Sequence, residues 1–233
     1  MNKIFVQNEE SKEIAQLNGL ANVLVAGDVR IDRVLEIKAA PPQLPELTTF
    51  LDKKYCVVFG SVYKSDEPVI DFFIENIGDD CKIILVSHEV DKDMIDYLKK
   101  KYVDSVLYSE LINYKNQPIL IVNNIGKLNS LYQFANLAYI GGGYGGGIHN
   151  TLEPAVFNIP VFFGPRFYKF PEAKSLVGES LAFFDSSPIN LAKSMINKLT
   201  KNEDEKFTEK SIHWFGKHSG ATALVFRYLK EII

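Results

Sequence analysis

Apolar runs of four to six residues, rich in Val, Ile and Phe, alternate along this chain with longer segments of helical period. That alternation limits the fold more than any other feature. Strands that are apolar almost throughout must be covered on both faces, which calls for βα units around a mostly parallel sheet. The pattern predicts strands at 4–6, 23–26, 56–59, 82–86, 105–107, 119–122, 137–140, 161–163 and 181–183. It predicts helices over 8–17, 66–76, 91–101, 127–134, 151–157, 170–177, 189–200, 203–214 and 220–232. The expected architecture is a doubly wound α/β sheet with C-terminal helices.

Composition agrees with a packed core. The 233 residues amount to about one and a half domains, and 46% are apolar against 24% charged, as in ordinary globular chains. A net charge of −3 argues against broad nonspecific nucleic-acid binding. Cys56 and Cys81 each adjoin a predicted strand, so buried reduced thiols are expected rather than a disulfide or a metal site. No apolar stretch reaches the roughly 18 to 20 residues that span a bilayer, and Met1-Asn2-Lys3-Ile4-Phe5 lacks the apolar run of a secretory signal.

The text changes between Gly27 and about Pro45, where Ala39-Ala40-Pro41-Pro42 favours an extended connector. Residues 1–28 form too small a βαβ fragment to cover both faces of a sheet, so they read as the end of a larger domain.

Gly141-Gly142-Gly143-Tyr144-Gly145-Gly146-Gly147 lies between a predicted strand and a predicted helix. So many glycines cost chain entropy and belong where backbone turns sharply or approaches a ligand closely. With a helix N-terminus just beyond, the stretch reads as a phosphate-binding loop, the alternative being a flexible connector. Gly141, Gly143 and Gly146 satisfy G-x-G-x-x-G, but the next strand ends Phe162-Phe163-Gly164-Pro165-Arg166 without the acidic residue a dinucleotide site needs. No Walker lysine follows the loop.

Asn150 and Glu153 fit a capping box, and Glu153 is equally placed to accept both hydroxyls of a ribose. His149 is placed to donate to a phosphate. His88 ends a predicted strand after Ser87, at the edge where open parallel sheets bind ligands. Asn123-Asn124-Ile125-Gly126-Lys127 offers more free N–H groups toward that edge, as does the Gly60-Ser61 turn. Arg30 lies in the seam, where pairing with Asp28 or Asp32 is the plain alternative. Phe162, Phe163, Phe167, Tyr168 and Phe170 read as core and loop anchors.

The ordered series of these motifs resembles the C-terminal half of bacterial 3-deoxy-D-manno-octulosonic acid (Kdo) transferases, which are inverting GT-B glycosyltransferases. The resemblance is carried by Val25 to Arg33, Gly60-Ser61, Val86 to Glu89, Ile125 to Leu128 and Leu131-Tyr132. It continues through Ala135 to Gly142, His149 to Ala155 and Pro160 to Pro165. It implies a GT-B C-terminal Rossmann-like domain over 46–233, an interdomain linker over 29–45, and a remnant of the N-terminal acceptor domain over 1–28.

By the same resemblance, the nucleotide of CMP-Kdo would contact Ser87, His88, Ile125, Gly126, Lys127, Asn150, Thr151, Leu152 and Glu153. Gly141, Gly142, Gly143 and His149 would form the phosphate loop, and Arg30 would stabilise the transition state. No metal and no cofactor are implied, CMP-Kdo being the donor substrate. Relatives commonly carry Pro-Arg at Ser87-His88 and a basic residue inside the glycine loop, which shifts phosphate contacts here toward backbone N–H groups.

The family's general base, lipid A precursor site and membrane contact lie in the N-terminal domain, on the cytoplasmic face of the inner membrane. The donor-binding half alone is therefore expected to bind CMP-Kdo without turnover. Two other readings stay open, a GT-B transferase using a UDP-sugar and a non-catalytic nucleotide-binding module.

Overall fold

The computed structural model describes residues 3–53, 55–200 and 205–232. Its elements in chain order are β1 Ile4–Val6, α1 Glu9–Leu17, β2 Val23–Val25, α2 Val29–Ala39, β3 Tyr55–Val62, α3 Glu67–Asn76, β4 Cys81–Ser87, α4 Lys92–Lys101, β5 Ser105–Leu107 and β6 Ile119–Ile121. There follow α5 Leu128–Leu131, β7 Leu137–Ile140, α6 Leu152–Ala155, β8 Val161–Phe163, α7 Pro171–Gly178, β9 Ala182–Phe184, α8 Pro188–Thr200, α9 Glu205–His218 and α10 Ala221–Ile232. The expected helix start at Glu203 lies outside the described residues. The chain divides into two compact units, Pro41–Lys210 and Met1–Ala40 with Ser211–Ile233.

The larger unit is built on a seven-stranded sheet in the order β5-β6-β4-β3-β7-β8-β9. Every strand pair in it is parallel. All residues of β4, β6, β7 and β8 are buried, which is why these strands are apolar almost without alternation. Helix α3 buries Val69, Ile70 and Phe73 and packs on α8, which buries Leu191, Ala192, Met195 and Leu199. Each of these side chains larger than alanine contributes about 1.5 to 3 kcal/mol through burial.

The winding reverses at β3, with β4 on one side and β7 on the other. In open α/β sheets the crevice outside the carboxyl ends at such a reversal is the ligand site. The glycine run follows β7 directly, so the topology sets it beside the end of β3. This is the doubly wound α/β arrangement expected from the alternating strand and helix pattern.

In the smaller unit, β1 and β2 pair in parallel. The seam expected to be extended contains the eleven-residue helix α2, which buries Ile31 and Val34. The prolines at 41 and 42 end that helix rather than forbid it. Asp28 caps its N-terminus, accepting the Arg30 N–H at 2.9 Å. Asp32 caps α10, accepting from the N–H of Gly220 at 2.6 Å and of Thr222 at 2.7 Å. Burial opposes ionisation of Asp32, but these bonds prevail and hold its carboxyl below the ordinary value. The units thus divide near residues 40 and 210, whereas the sequence reading placed a linker over 29–45 and one domain over 46–233.

Candidate functional site

Strand β3 ends in an irregular turn whose register slips between Phe59 and Val62, with Ser61 in the left-handed region at φ 52°. The turn brings Asp66 inward. Asp66 has no exposed surface, and its Oδ2 accepts the N–H of Tyr63 and of Gly142, each at 2.9 Å. Its Oδ1 accepts the Tyr139 hydroxyl at 2.6 Å. One buried side chain thus ties β7, the glycine loop and the turn after β3 together, satisfying donors that would otherwise be stranded.

The glycines meet backbone. A Cβ placed on Gly143 falls 2.5 Å from the nitrogen of Gly164, and one on Gly141 falls 2.5 Å from Cα of Val62. The run is therefore required first by close packing of loops. Several N–H groups are also spent inside the protein, Gly141 on Gly60 O, Gly142 on Asp66, and Gly145 and Gly147 on Gly142 O. Those of Gly143, Tyr144 and Gly146 have no acceptor among the described residues.

Beyond the loop the sequence predicted a helix over 151–157, and the structure forms only the four residues of α6. A single turn aligns few peptide dipoles, so little N-terminal charge is available to an anion there. Asn150 Oδ1 accepts the Leu152 N–H at 3.0 Å, and its amide donates to Glu153 Oε1 at 3.0 Å. The cap and the carboxylate are therefore coupled. Burial raises the Glu153 carboxyl above its ordinary 4.5, while hydrogen bonds from Asn150 and Asn129 work against that rise. Asn129 belongs to α5, so Glu153 joins the 150–153 segment to the one that follows Ile125-Gly126-Lys127. Thr151 is buried and its hydroxyl has no partner among the described residues.

Three rings converge at this edge. His88 follows β4, His149 follows the glycine loop and Tyr63 follows β3. The two imidazoles lie 4.5 Å apart at 23°, and Tyr63 lies 4.7 Å from His88 at 28°. Tyr63 Oη and His149 Nε2 form a hydrogen bond of 2.9 Å. Burial lowers His149 below its ordinary value, the neighbouring His88 adds to that, and Asp66 opposes it.

The fold thus assembles most of the expected site residues. Ser87 is buried, its hydroxyl turned to Val62 O at 3.4 Å. Ile125 is 87% exposed, and Gly126 adopts φ 81°. Lys127 holds its ammonium 5.6 Å over the Tyr108 ring. Arg30, in the smaller unit, grips Asp28 through Nε at 3.0 Å and Nη2 at 2.6 Å. Tyr63 and Asp66 escaped the sequence reading. Asp66 looked like the ordinary first residue of the helix expected over 66–76, and nothing local marks a tyrosine after a strand as part of a site.

A cavity of about 500 Å³ opens at the opposite, amino edge of the sheet, lined in part by Cys81, Lys82 and Asp104. Lys82 is buried, but its ammonium donates to Tyr114 Oη at 2.6 Å, Gln117 O at 3.0 Å and Asn116 Oδ1 at 3.4 Å. With its donors taken, this lysine is a structural group.

No protein-family model matches the chain. It is 28% identical over 205 residues to the 3-deoxy-D-manno-octulosonic acid transferase of Rickettsia felis, a match covering 85% of this chain and 43% of that protein. It is 30% identical over 144 residues to the enzyme of that name from Chlamydia pneumoniae, covering 57% and 32% respectively. The chain therefore spans less than half the length of these relatives.

Among solved structures, it matches the C-terminal CMP-Kdo binding domain of WaaA from Acinetobacter baumannii with a TM-score of 0.62 and 17% identity, over 79% of this chain and 96% of that one. It matches the S. aureus MnaA–UDP co-structure with a TM-score of 0.65 and 12% identity, over 100% of this chain and 62% of that one. At these identities the two structures speak for the fold. In sequence and in fold, the chain resembles the C-terminal half of a bacterial 3-deoxy-D-manno-octulosonic acid transferase.

Proposed function

We propose that this chain is the donor-binding part of an inverting glycosyltransferase that moves Kdo from CMP-Kdo to a lipid A precursor in lipopolysaccharide assembly. The observation that carries the reading is the likeness, across 85% of the chain, to proteins bearing that name. The meeting of Tyr63, His88 and His149 beside Glu153's segment, at the switch point of the sheet, supports it.

In this reading the CMP phosphate lies against His88, His149 and the open N–H groups of the glycine loop, and the ribose hydroxyls lie on Glu153. As the sugar gains oxocarbenium character, charge grows on the departing phosphate, and donors already aimed at it lower the barrier. Arg30, to which the resemblance gives a transition-state role, lies in the smaller unit and is paired there with Asp28. No metal takes part. The general base and the acceptor site belong to a partner domain, as does contact with the cytoplasmic face of the inner membrane. Among the described residues no helix is long and apolar enough to cross a membrane. The chain alone accordingly binds donor without turning it over, because acceptor positioning and proton abstraction each contribute orders of magnitude in rate.

Calorimetric titration with CMP, UDP, AMP and GMP tests the reading. Preferential binding of CMP supports it. Preference for UDP would redirect it to another donor, and no nucleotide binding at all would remove it.

A further inference from the structure

The ring cluster has the composition of a proton-linked anion site. The charged side chains that act on Tyr63 and His149 are Asp66, from the turn before α3, and Glu89, which follows His88. Neither is a cation. The glycine run from Gly141 to Gly147 contributes only Tyr144 besides glycine. A phosphate docking at these rings meets those two carboxylates; the Arg166 guanidinium donates to Gly145 O in the glycine loop, and at the rings themselves the answering positive charge comes from the imidazoles.

We propose that the Tyr63–His88–His149 cluster takes up one proton from solvent when a nucleotide phosphate docks on it, with Tyr63 as the residue that positions His149. The inference rests on the donor-site reading above and adds proton linkage to it. Without ligand, two imidazolium rings 4.5 Å apart repel, which disfavours double protonation. Burial works in the same direction on His149. An arriving anion reverses the balance by supplying the opposite charge.

The Tyr63 hydrogen bond gives that proton a defined place. In neutral His149 with Nε2 bare, the Tyr63 hydroxyl donates to Nε2 across 2.9 Å. Once Nε2 is protonated it donates to Tyr63 Oη instead, and the hydroxyl hydrogen is released to point at a phosphate oxygen. One proton enters at Nε2, the bond reverses its direction, and the same proton leaves when the nucleotide departs. Burial raises the Tyr63 phenol above its ordinary value, so it keeps its proton throughout.

The probe is cytidine 5′-O-methyl phosphate, whose single negative charge does not titrate near neutrality. Its binding to this chain is measured calorimetrically at pH 7.5 in Hepes and in Tris, which differ in ionisation enthalpy, and then from pH 6 to 9. The expected result is uptake approaching one proton per ligand, with affinity falling as pH rises, by at most about tenfold per pH unit. His149→Gln flattens the profile. Tyr63→Phe, which keeps the ring, weakens binding and moves the midpoint of the profile, with circular dichroism confirming the fold.

Binding without proton uptake and with a flat profile overturns the proton linkage while leaving the donor site standing. Uptake that survives in His149→Gln overturns the assignment of the proton to His149. Failure of both CMP and its methyl ester to bind at millimolar concentration overturns the donor site and, with it, this inference.

Discussion

Asp66 and Gly142 are joined by a hydrogen bond of 2.9 Å from the glycine N–H to a carboxylate with no exposed surface. This bond fixes the first bend of the glycine loop to the turn after β3, and it gives the loop a defined shape before any ligand arrives. The same carboxylate accepts from Tyr63 N and Tyr139 Oη. Asp66→Ala therefore leaves three donors unpaired, two of them buried, and is expected to cost about 2 to 4 kcal/mol. Urea unfolding measures it, and a loss below about 1 kcal/mol would mean the loop holds itself.

The glycines differ sharply in what they permit. Gly143→Ala drives a methyl into the backbone of Gly164, whereas the same change at Gly146 meets open space. Overpacking of that kind costs roughly 1 to 3 kcal/mol or more, and surface changes stay within about 0.5 kcal/mol. Chemical denaturation of the two variants should separate them in that order. Equal effects would show that the run serves flexibility rather than packing.

Glu153 links stability to pH with a definite sign. Burial raises its folded-state value above 4.5, so the folded protein binds the proton more tightly than the unfolded chain. That contribution to stability is complete below the unfolded value and is lost as pH rises through the folded value. Relative to Glu153→Gln, the unmodified protein should lose stability between about pH 4 and its raised folded value. Thermal melts across that range check it, and parallel curves for the two proteins would contradict it.

The same carboxylate should also be felt by ligand. Glu153→Ala is expected to weaken CMP binding by about 1.5 to 3 kcal/mol through loss of a charged hydrogen bond. Unchanged affinity with a lower melting temperature would assign Glu153 to capping through Asn150 alone.

Cys56 and Cys81 lie on adjacent strands and are both buried. Burial pushes the Cys81 thiol up to about 12, and burial with the neighbouring Cys81 pushes Cys56 higher still. A thiol reagent at pH 8 should label neither in the native protein and both in denaturant. Rapid native labelling would show that the amino end of the β3–β4 pair opens readily.

The strands of the larger unit could be read in advance because they are buried on both faces, and such burial leaves an apolar run in the text. Helix α2 was lost to Pro41 and Pro42, although Asp28 as cap and Ile31 with Val34 at helical spacing were present to be read. His88, His149 and Glu153 were legible from their places after strands and loops. Tyr63 and Asp66 were not, since their roles arise when β3, β4 and β7 come together and no local pattern records that meeting. The packing role of the glycines was hidden for the same reason, because Gly164 is distant in sequence from Gly143.

The most direct test is a crystal structure of this chain soaked with CMP. The account predicts the phosphate within hydrogen-bonding distance of His149 or Tyr63 and the ribose hydroxyls on Glu153. Nucleotide density in the amino-edge cavity beside Lys82, or a bare carboxyl edge at saturating CMP, would contradict it.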